Sequence, residues 1–130
     1  MNLQESAEMY LKTVMLLEKN NDVVRAVDIA RQMQFSRPTV SEQIKRLTAL
    51  GFLQVNDKKQ ISLTKKGRQI AEDTDNRHNG LVDFFVQIGV SEDTAFEDAC
   101  RIEHYISKET INCMQDFLQN CRQQSNENLE

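Results

Sequence analysis

The stretch SRPTVSEQIKRLTALG, residues 36–51, restricts the fold more than any other part of the chain. Ser36 suits a helix N-cap, because its hydroxyl can accept from a backbone N–H that the first turn leaves unpaired. Pro38 is tolerated in that first turn, where an N–H would have no intrahelical partner. Val40, Ile44, Leu47 and Leu50 then recur at helical spacing, and Gly51 suits the left-handed position after a helix end. Just upstream, AVDIARQM at 26–33 reads as a short helix with Val27, Ile29, Ala30 and Met33 available for a core. Two short helices joined by a tight turn, the second opening on small polar residues, form a helix-turn-helix. Alone, this pattern also describes an arbitrary helical hairpin.

The residues that follow decide between the two. FLQV and ISL are brief alternating strands around NDKKQ, a polar turn with two lysines. A helix-turn-helix followed by a β-hairpin is a winged helix, and the hairpin lysines are placed to meet phosphate. Leu3, Ala7, Tyr10, Val14 and Leu17 form the stripe of an amphipathic first helix, which NND at 20–22 ends. Thr64 caps a longer helix reaching Gly89. Ser91, with Glu92 and Asp93 in the first turn, opens another. Ser107, with Glu109 behind it, opens a last helix carrying Ile111, Met114, Phe117 and Leu118. The predicted fold is mostly α with a small β-hairpin: a winged helix-turn-helix over residues 1–65, an α-helical second domain over 66–121, and a frayed polar tail over 122–130.

Charge narrows the function classes. The net charge of −4 would discourage a nucleic-acid partner, but the average hides segregation. Residues 25–68 hold ten lysines and arginines against Asp28, Glu42 and Asp57, whereas residues 69–130 hold four basic residues against thirteen acidic ones. A basic segment joined to acidic ones is the electrostatic footprint of a DNA-binding module attached to something else. No apolar run approaches the roughly 20 residues needed to cross a bilayer, and the N-terminus lacks the regions of a signal peptide. A cytoplasmic protein without a membrane partner is expected. Three cysteines without framework spacing argue against a disulfide scaffold, and Cys113 and Cys121 are expected to be small buried or half-buried thiols.

The sharpest chemical signal is ACRIEHYIS at 99–107. Cys100, Glu103 and His104 stand at i, i+3 and i+4, so a helix would project a thiol, a carboxylate and an imidazole from one face. That trio looks like part of a metal site, although a bare Glu–His pair on a helix is usually a solvated face. An enzyme would need a second acid/base constellation and a substrate pocket, and the sequence offers neither, so no enzyme is expected. Phe84, Phe85, Ile88, Phe96, Ile102 and Ile106 exceed what short helices can bury alone, which predicts self-association.

AEMYLKTVMLLE, DIARQMQFSRPTVSEQIKRLTALGFL, LTKKG and ACRIEHYIS together resemble the diphtheria-toxin-repressor family of metal-dependent transcriptional repressors, over about residues 3–118. The resemblance implies a homodimer that binds double-stranded operator DNA when loaded with a divalent metal, controls metal-homeostasis genes and uses no organic cofactor. It implies Met9 as a methionine ligand on the first helix, Cys100, Glu103 and His104 as ligands on the fifth, and a backbone carbonyl (that of Cys100) and a water completing the shell. His78, in NRHNG, matches a histidine that ligates in several members at a second or adjoining position. An accessory site of the iron-type members is expected to be largely dismantled, since Val82 and Phe96 stand where it needs donors and Asp83 is one residue out of phase. The length matches a short form without the SH3-like third domain, as in the manganese-type branch, whose acidic first-helix ligands are replaced here by Met9 and Lys12.

A thioether and a thiolate beside imidazole and carboxylate favour Fe²⁺, Co²⁺, Ni²⁺ or Zn²⁺ over the oxygen-preferring Mn²⁺. Fe²⁺ is expected, with Mn²⁺ as the alternative and other divalent transition metals binding in vitro. On the DNA side, Ser36, Arg37, Pro38, Thr39, Ser41 and Glu42 lead the helix that enters the major groove. Ser36 and Pro38 match family positions that touch thymine methyls, while Arg37 replaces a small residue and is long enough to reach a guanine or a phosphate. Arg25, Lys45, Lys58 and Lys59 complete the expected DNA-binding set, with Lys65 and Arg68 as further phosphate candidates. The competing reading is a winged-helix regulator that senses an organic ligand or redox state, the Cys/Glu/His trio then being structural.

Overall fold

Helix α1 (Leu3–Asn20) turns Tyr10, Leu11, Val14 and Met15 inward, with Ala7 and Leu17 packed at the edge. The computed structural model describes residues 3–128, with side chains from 4 to 124. The side chain of Leu3, expected to open the α1 stripe, and residues 129 and 130 of the tail lie outside the described residues. Two further helices follow, α2 (Ala26–Met33) and α3 (Arg37–Ala49), then strands β1 (Leu53–Val55) and β2 (Ile61–Leu63). Helices α4 (Lys65–Gln87), α5 (Glu92–Ile102) and α6 (Lys108–Asn128) complete the order. The fold is the expected one, mostly α with one small antiparallel sheet.

The ends of α3 lie where its residues predict. Ser36 Oγ accepts from the Thr39 N–H at 3.3 Å, and Pro38 occupies the first turn. At the other end Gly51 takes φ +84°, its N–H reaching Thr48 O while the Phe52 N–H reaches Leu47 O. This pair of bonds satisfies the last carbonyls of the helix. The turn between α2 and α3 holds Gln34 at φ 59°, a left-handed conformation uncommon outside glycine. Its flanking Phe35 N–H bonds back to Ala30 O at 3.2 Å, which closes α2 and re-aims the chain.

The hairpin pairs Leu53 with Leu63, Gln54 with Ser62 and Val55 with Ile61. Asn56 builds its turn: the side-chain oxygen accepts from the N–H groups of Lys58 and Gln60, at 3.0 and 2.9 Å. An isolated bridge from Val24 to Ile61 adds the α1–α2 connection to the edge of the sheet, which the residue pattern did not suggest. Val24, Ile29, Val40, Ile44, Leu47, Leu53, Ile61 and Leu63 join the α1 residues in one core.

Packing divides the chain between Thr74 and Asp75, inside α4. The boundary expected near residue 65 is the start of this helix, and Ala71 and Ile70 still pack into the first core. Thr64 caps α4 as expected, accepting from the Gly67 N–H at 3.1 Å while donating to Gly51 O at 2.7 Å. In the second unit Leu81, Ala99 and Ile111 are buried, with Val82, Phe85, Ile102, Ile106 and Met114 packed against them. Three expectations are corrected there. The tail expected to fray from residue 122 continues as helix to Asn128. Phe117 is exposed rather than core. Cys113 and Cys121 are exposed, not buried; the inward stripe of α6 is set by Ile111, Met114 and Leu118, and position 113 lies about 200° round from Ile111.

Two stability predictions follow from the first unit. A Cβ at Gly67 would fall inside the van der Waals radius of the Phe52 carbonyl oxygen, a backbone atom that cannot swing away. Gly67→Ala is expected to lower stability by about 1–3 kcal/mol, read as an earlier urea midpoint at unchanged slope. Tyr10 is 2% exposed, and its hydroxyl has no hydrogen-bond partner. Burial raises its pKa above 10.0. The unfolded chain therefore ionises first as pH climbs through about 10, and stability falls in that window. Tyr10→Phe is expected to add roughly 1 kcal/mol at neutral pH and to flatten the alkaline loss; equal urea midpoints for both proteins at neutral and alkaline pH would contradict this.

Candidate metal centre and nucleic-acid interface

The second unit gathers His78 from α4 with Cys100, Glu103 and His104 from the end of α5. The helix expected to carry the last three together stops at Ile102. Glu103 is its C-cap, at φ −54° and ψ −25°, with its N–H on Ala99 O at 3.0 Å. His104 lies in the turn beyond, where the N–H groups of Tyr105 and Ile106 both bond Ile102 O, at 2.8 and 3.1 Å. The reason is local: Ser107 must take the N-cap role for α6, accepting from the Thr110 N–H at 3.1 Å, so the chain leaves α5 before it. The residue spacing nonetheless keeps the trio together, because the turn stays tightly wound.

Glu103 is the centre of the cluster. Its side chain is 4% exposed, and a carboxylate withdrawn from water in this way must be compensated by its neighbours. One oxygen lies 2.9 Å from His78 Nδ1, the other 3.4 Å from His104 Nε2. Both imidazoles are equally withdrawn, with side-chain exposures of 7% and 3%. Cys100 Sγ stands 3.9 Å from the same His78 Nδ1. Arg77, next to His78, donates from Nε to the backbone carbonyl of Glu103 at 2.8 Å.

This donor set fits a divalent metal. Bonds of about 2.0–2.3 Å place neighbouring ligand atoms roughly 3–4 Å apart, which is the range of these contacts. Among the described residues, no three His, Cys, Asp or Glu side chains stand ready to hold an ion as they are. An ion would replace the contacts these donors make with one another.

The surroundings of His78 are apolar on another side. The Phe96 ring stands edge-on to the imidazole, centroids 4.8 Å apart at 80°. Val82 packs against the core and Asp83 pairs with Arg122 at 3.0 Å. Met9 lies half-buried on α1 in the first unit, its carbonyl accepting from Thr13 Oγ1 at 2.8 Å. Arg77 was not anticipated; its only signal was adjacency to His78, since a sequence cannot say which carbonyl an arginine will find.

In the first unit Arg25, Ser36, Arg37, Pro38, Thr39, Ser41, Glu42, Lys45, Lys58 and Lys59 are all exposed. Ser36 and Thr39 share a hydroxyl hydrogen bond at 2.8 Å, so the start of α3 is held in one arrangement. Lys59 sits in the hairpin turn at φ 60°. Arg68, a further phosphate candidate, pairs its guanidinium with Glu18 at 2.9 Å.

Two family models match, in chain order. Residues 2–61 match the iron-dependent repressor N-terminal DNA-binding domain, and residues 64–128 match the iron-dependent repressor metal-binding and dimerisation domain. The transcriptional regulator MntR of Salmonella typhimurium is 37% identical over 95 residues, covering 73% of this chain and 60% of that protein. The iron-dependent repressor IdeR of Mycobacterium tuberculosis is 31% identical over 119 residues, covering 91% of this chain and 52% of that one. A solved manganese-dependent transcriptional repressor in complex with manganese superposes with a TM-score of 0.78 at 27% identity, covering 87% of this chain and 52% of that chain. The chain thus spans between about half and 60% of the length of these relatives.

Proposed function

The chain belongs to the iron-dependent repressor family, a family of transcriptional regulators and not enzymes, and from that premise we propose that it is a metal-dependent repressor which binds operator DNA as a homodimer and controls metal-homeostasis genes. The observation that carries this reading is the buried carboxylate of Glu103 between two imidazoles with a thiol beside them. The carboxylate and two imidazoles withdrawn from water are costly to maintain, and with the half-buried thiol of Cys100 they match a transition-metal ligand set.

Cys100, Glu103, His104 and His78 are the proposed ligands in the second unit. Met9 is proposed as a further ligand on the strength of the family resemblance. When bound, the metal supplies positive charge to a buried site otherwise held together by hydrogen bonds. The chain's own contributions are the thiol, the carboxylate and the two imidazoles. Ion and operator then each raise the other's affinity, by about 1–3 kcal/mol in couplings of this kind. Donor softness supports Fe²⁺ as the physiological ion. Manganese is the second reading, supported by the manganese-bound structural relative.

On the DNA side, Arg37 and the small polar residues of the first turn of α3 are proposed to read bases, with Arg25, Lys45, Lys58 and Lys59 on phosphates. The homodimer is supported by Ile88, Phe96 and Phe117, large apolar side chains 60%, 56% and 59% exposed in the second unit. Such a surface suits pairing with a second copy.

Fluorescence anisotropy on promoter DNA, run with chelator, with anaerobic Fe²⁺, with Mn²⁺ and with Zn²⁺, tests the reading. Tight binding is expected only with metal. Cys100→Ala and His104→Ala are each expected to abolish the metal-dependent gain while circular dichroism stays native; operator binding that still responds to metal in both variants refutes the assignment. Equal binding with and without chelator would favour a sensor of an organic ligand or of redox state.

Solution conditions supply a second test. Thiol and imidazole must shed protons to ligate, so metal affinity is expected to fall as pH is lowered. Operator affinity at saturating metal is expected to fall about 10³-fold or more between 50 and 200 mM salt if six or more phosphates are neutralised. A salt-independent affinity would remove the phosphate roles of Arg25, Lys45, Lys58 and Lys59.

A further inference from the structure

We infer that Arg77 is the positioning residue of the metal centre: its guanidinium grips the backbone of the turn carrying Glu103 and His104, and so sets where these ligands stand relative to His78. The inference rests on the metal-binding role proposed above for that cluster.

The last carbonyls of a helix have no intrahelical donor. Glu103 caps α5 and is 3% exposed, so its carbonyl needs a partner from elsewhere. Within the turn the N–H groups of Tyr105 and Ile106 are both directed at Ile102 O. Arg77 supplies it across 26 residues of chain, at 2.8 Å from Nε. The bond is charge-assisted and places a cation at the C-terminal end of α5, where the helix dipole favours one.

Arg77 and His78 are consecutive on α4 and project about 100° apart. They therefore engage the same turn at two separate points, one on the backbone carbonyl of Glu103 and one on its carboxylate. Two anchors on one helix hold both the position and the rotation of the turn. Without Arg77, the turn would keep the apolar footing of Ile102 and Ile106 but lose the directed bond from α4 to the Glu103 backbone, leaving that point to the side chains that an ion must recruit. A lysine would keep the charge but not the directed N–H of a planar guanidinium.

The test uses the full chain, Co²⁺ as the probe and the Cys100 thiolate-to-cobalt absorption band as the readout, with backbone amide exchange measured on the metal-free protein. Arg77→Gln and Arg77→Lys are both expected to weaken Co²⁺ binding about ten- to a hundred-fold and to shift the band. Exchange at Tyr105 and Ile106 should quicken while the amides early in α5 stay protected. Should Arg77→Gln melt without cooperativity, Arg77→Lys decides. Wild-type Co²⁺ affinity and band in Arg77→Lys overturn the inference, since charge alone would then suffice. Unchanged exchange at Tyr105 and Ile106 in both variants overturns the clamp, whatever the metal result. A wild-type protein with no thiolate–cobalt band overturns the metal reading itself.

Discussion

The Glu103 carboxylate, buried between the imidazoles of His78 and His104, is the interaction on which the second unit turns. A lone buried carboxylate is unfavourable by several kcal/mol, so α4 and α5 must hold their donors close enough to compensate it. The end of α5 beside it is wound tightly, with two N–H groups on one carbonyl, and Arg77 bonds the backbone carbonyl of Glu103. The small core of Leu81, Ala99 and Ile111 beneath supplies the apolar footing. In the proposed metal site the donors are partnered with each other, so an ion would exchange one set of contacts for another.

The first unit works on a different principle. Its core is larger, drawn from α1, α2, α3, both strands and the start of α4. What it presents outward is a rigid start to α3 and a hairpin turn built on one asparagine. For the proposed DNA-reading role this arrangement matters, because a helix that moved relative to its own wing could not hold both a base edge and a phosphate. The asymmetry in charge between the two halves of the chain follows the same division of labour.

Much of this was legible in the residues. Ser36, Pro38, Val40, Ile44, Leu47 and Gly51 marked α3 almost to the residue, because capping and periodicity are local effects. The Cys100, Glu103 and His104 spacing survived even though the helix ended at Ile102, since a tight turn keeps neighbours at i+3 and i+4 close. Less legible were the exposed Cys113, Cys121 and Phe117, the helical continuation to Asn128, and the pairing of Arg68 with Glu18. Each depends on which face of a helix finds a core, or on a partner far along the chain. Gly67 was readable only as part of the LTKKG motif; its reason, the Phe52 carbonyl pressed against it, belongs to packing.

By itself the sequence determined the ends of α3, the winged helix-turn-helix, the charge division and the types of donor available, because these follow from local backbone preferences, hydrophobic period and side-chain chemistry. Only the tertiary structure decided that His78 meets Cys100 and Glu103 in one buried cluster, that Phe96 walls one side of it, and that Arg77 holds its backbone. Those contacts join residues more than 15 positions apart, and their distances are set by how α4 packs against α5, which no local rule encodes.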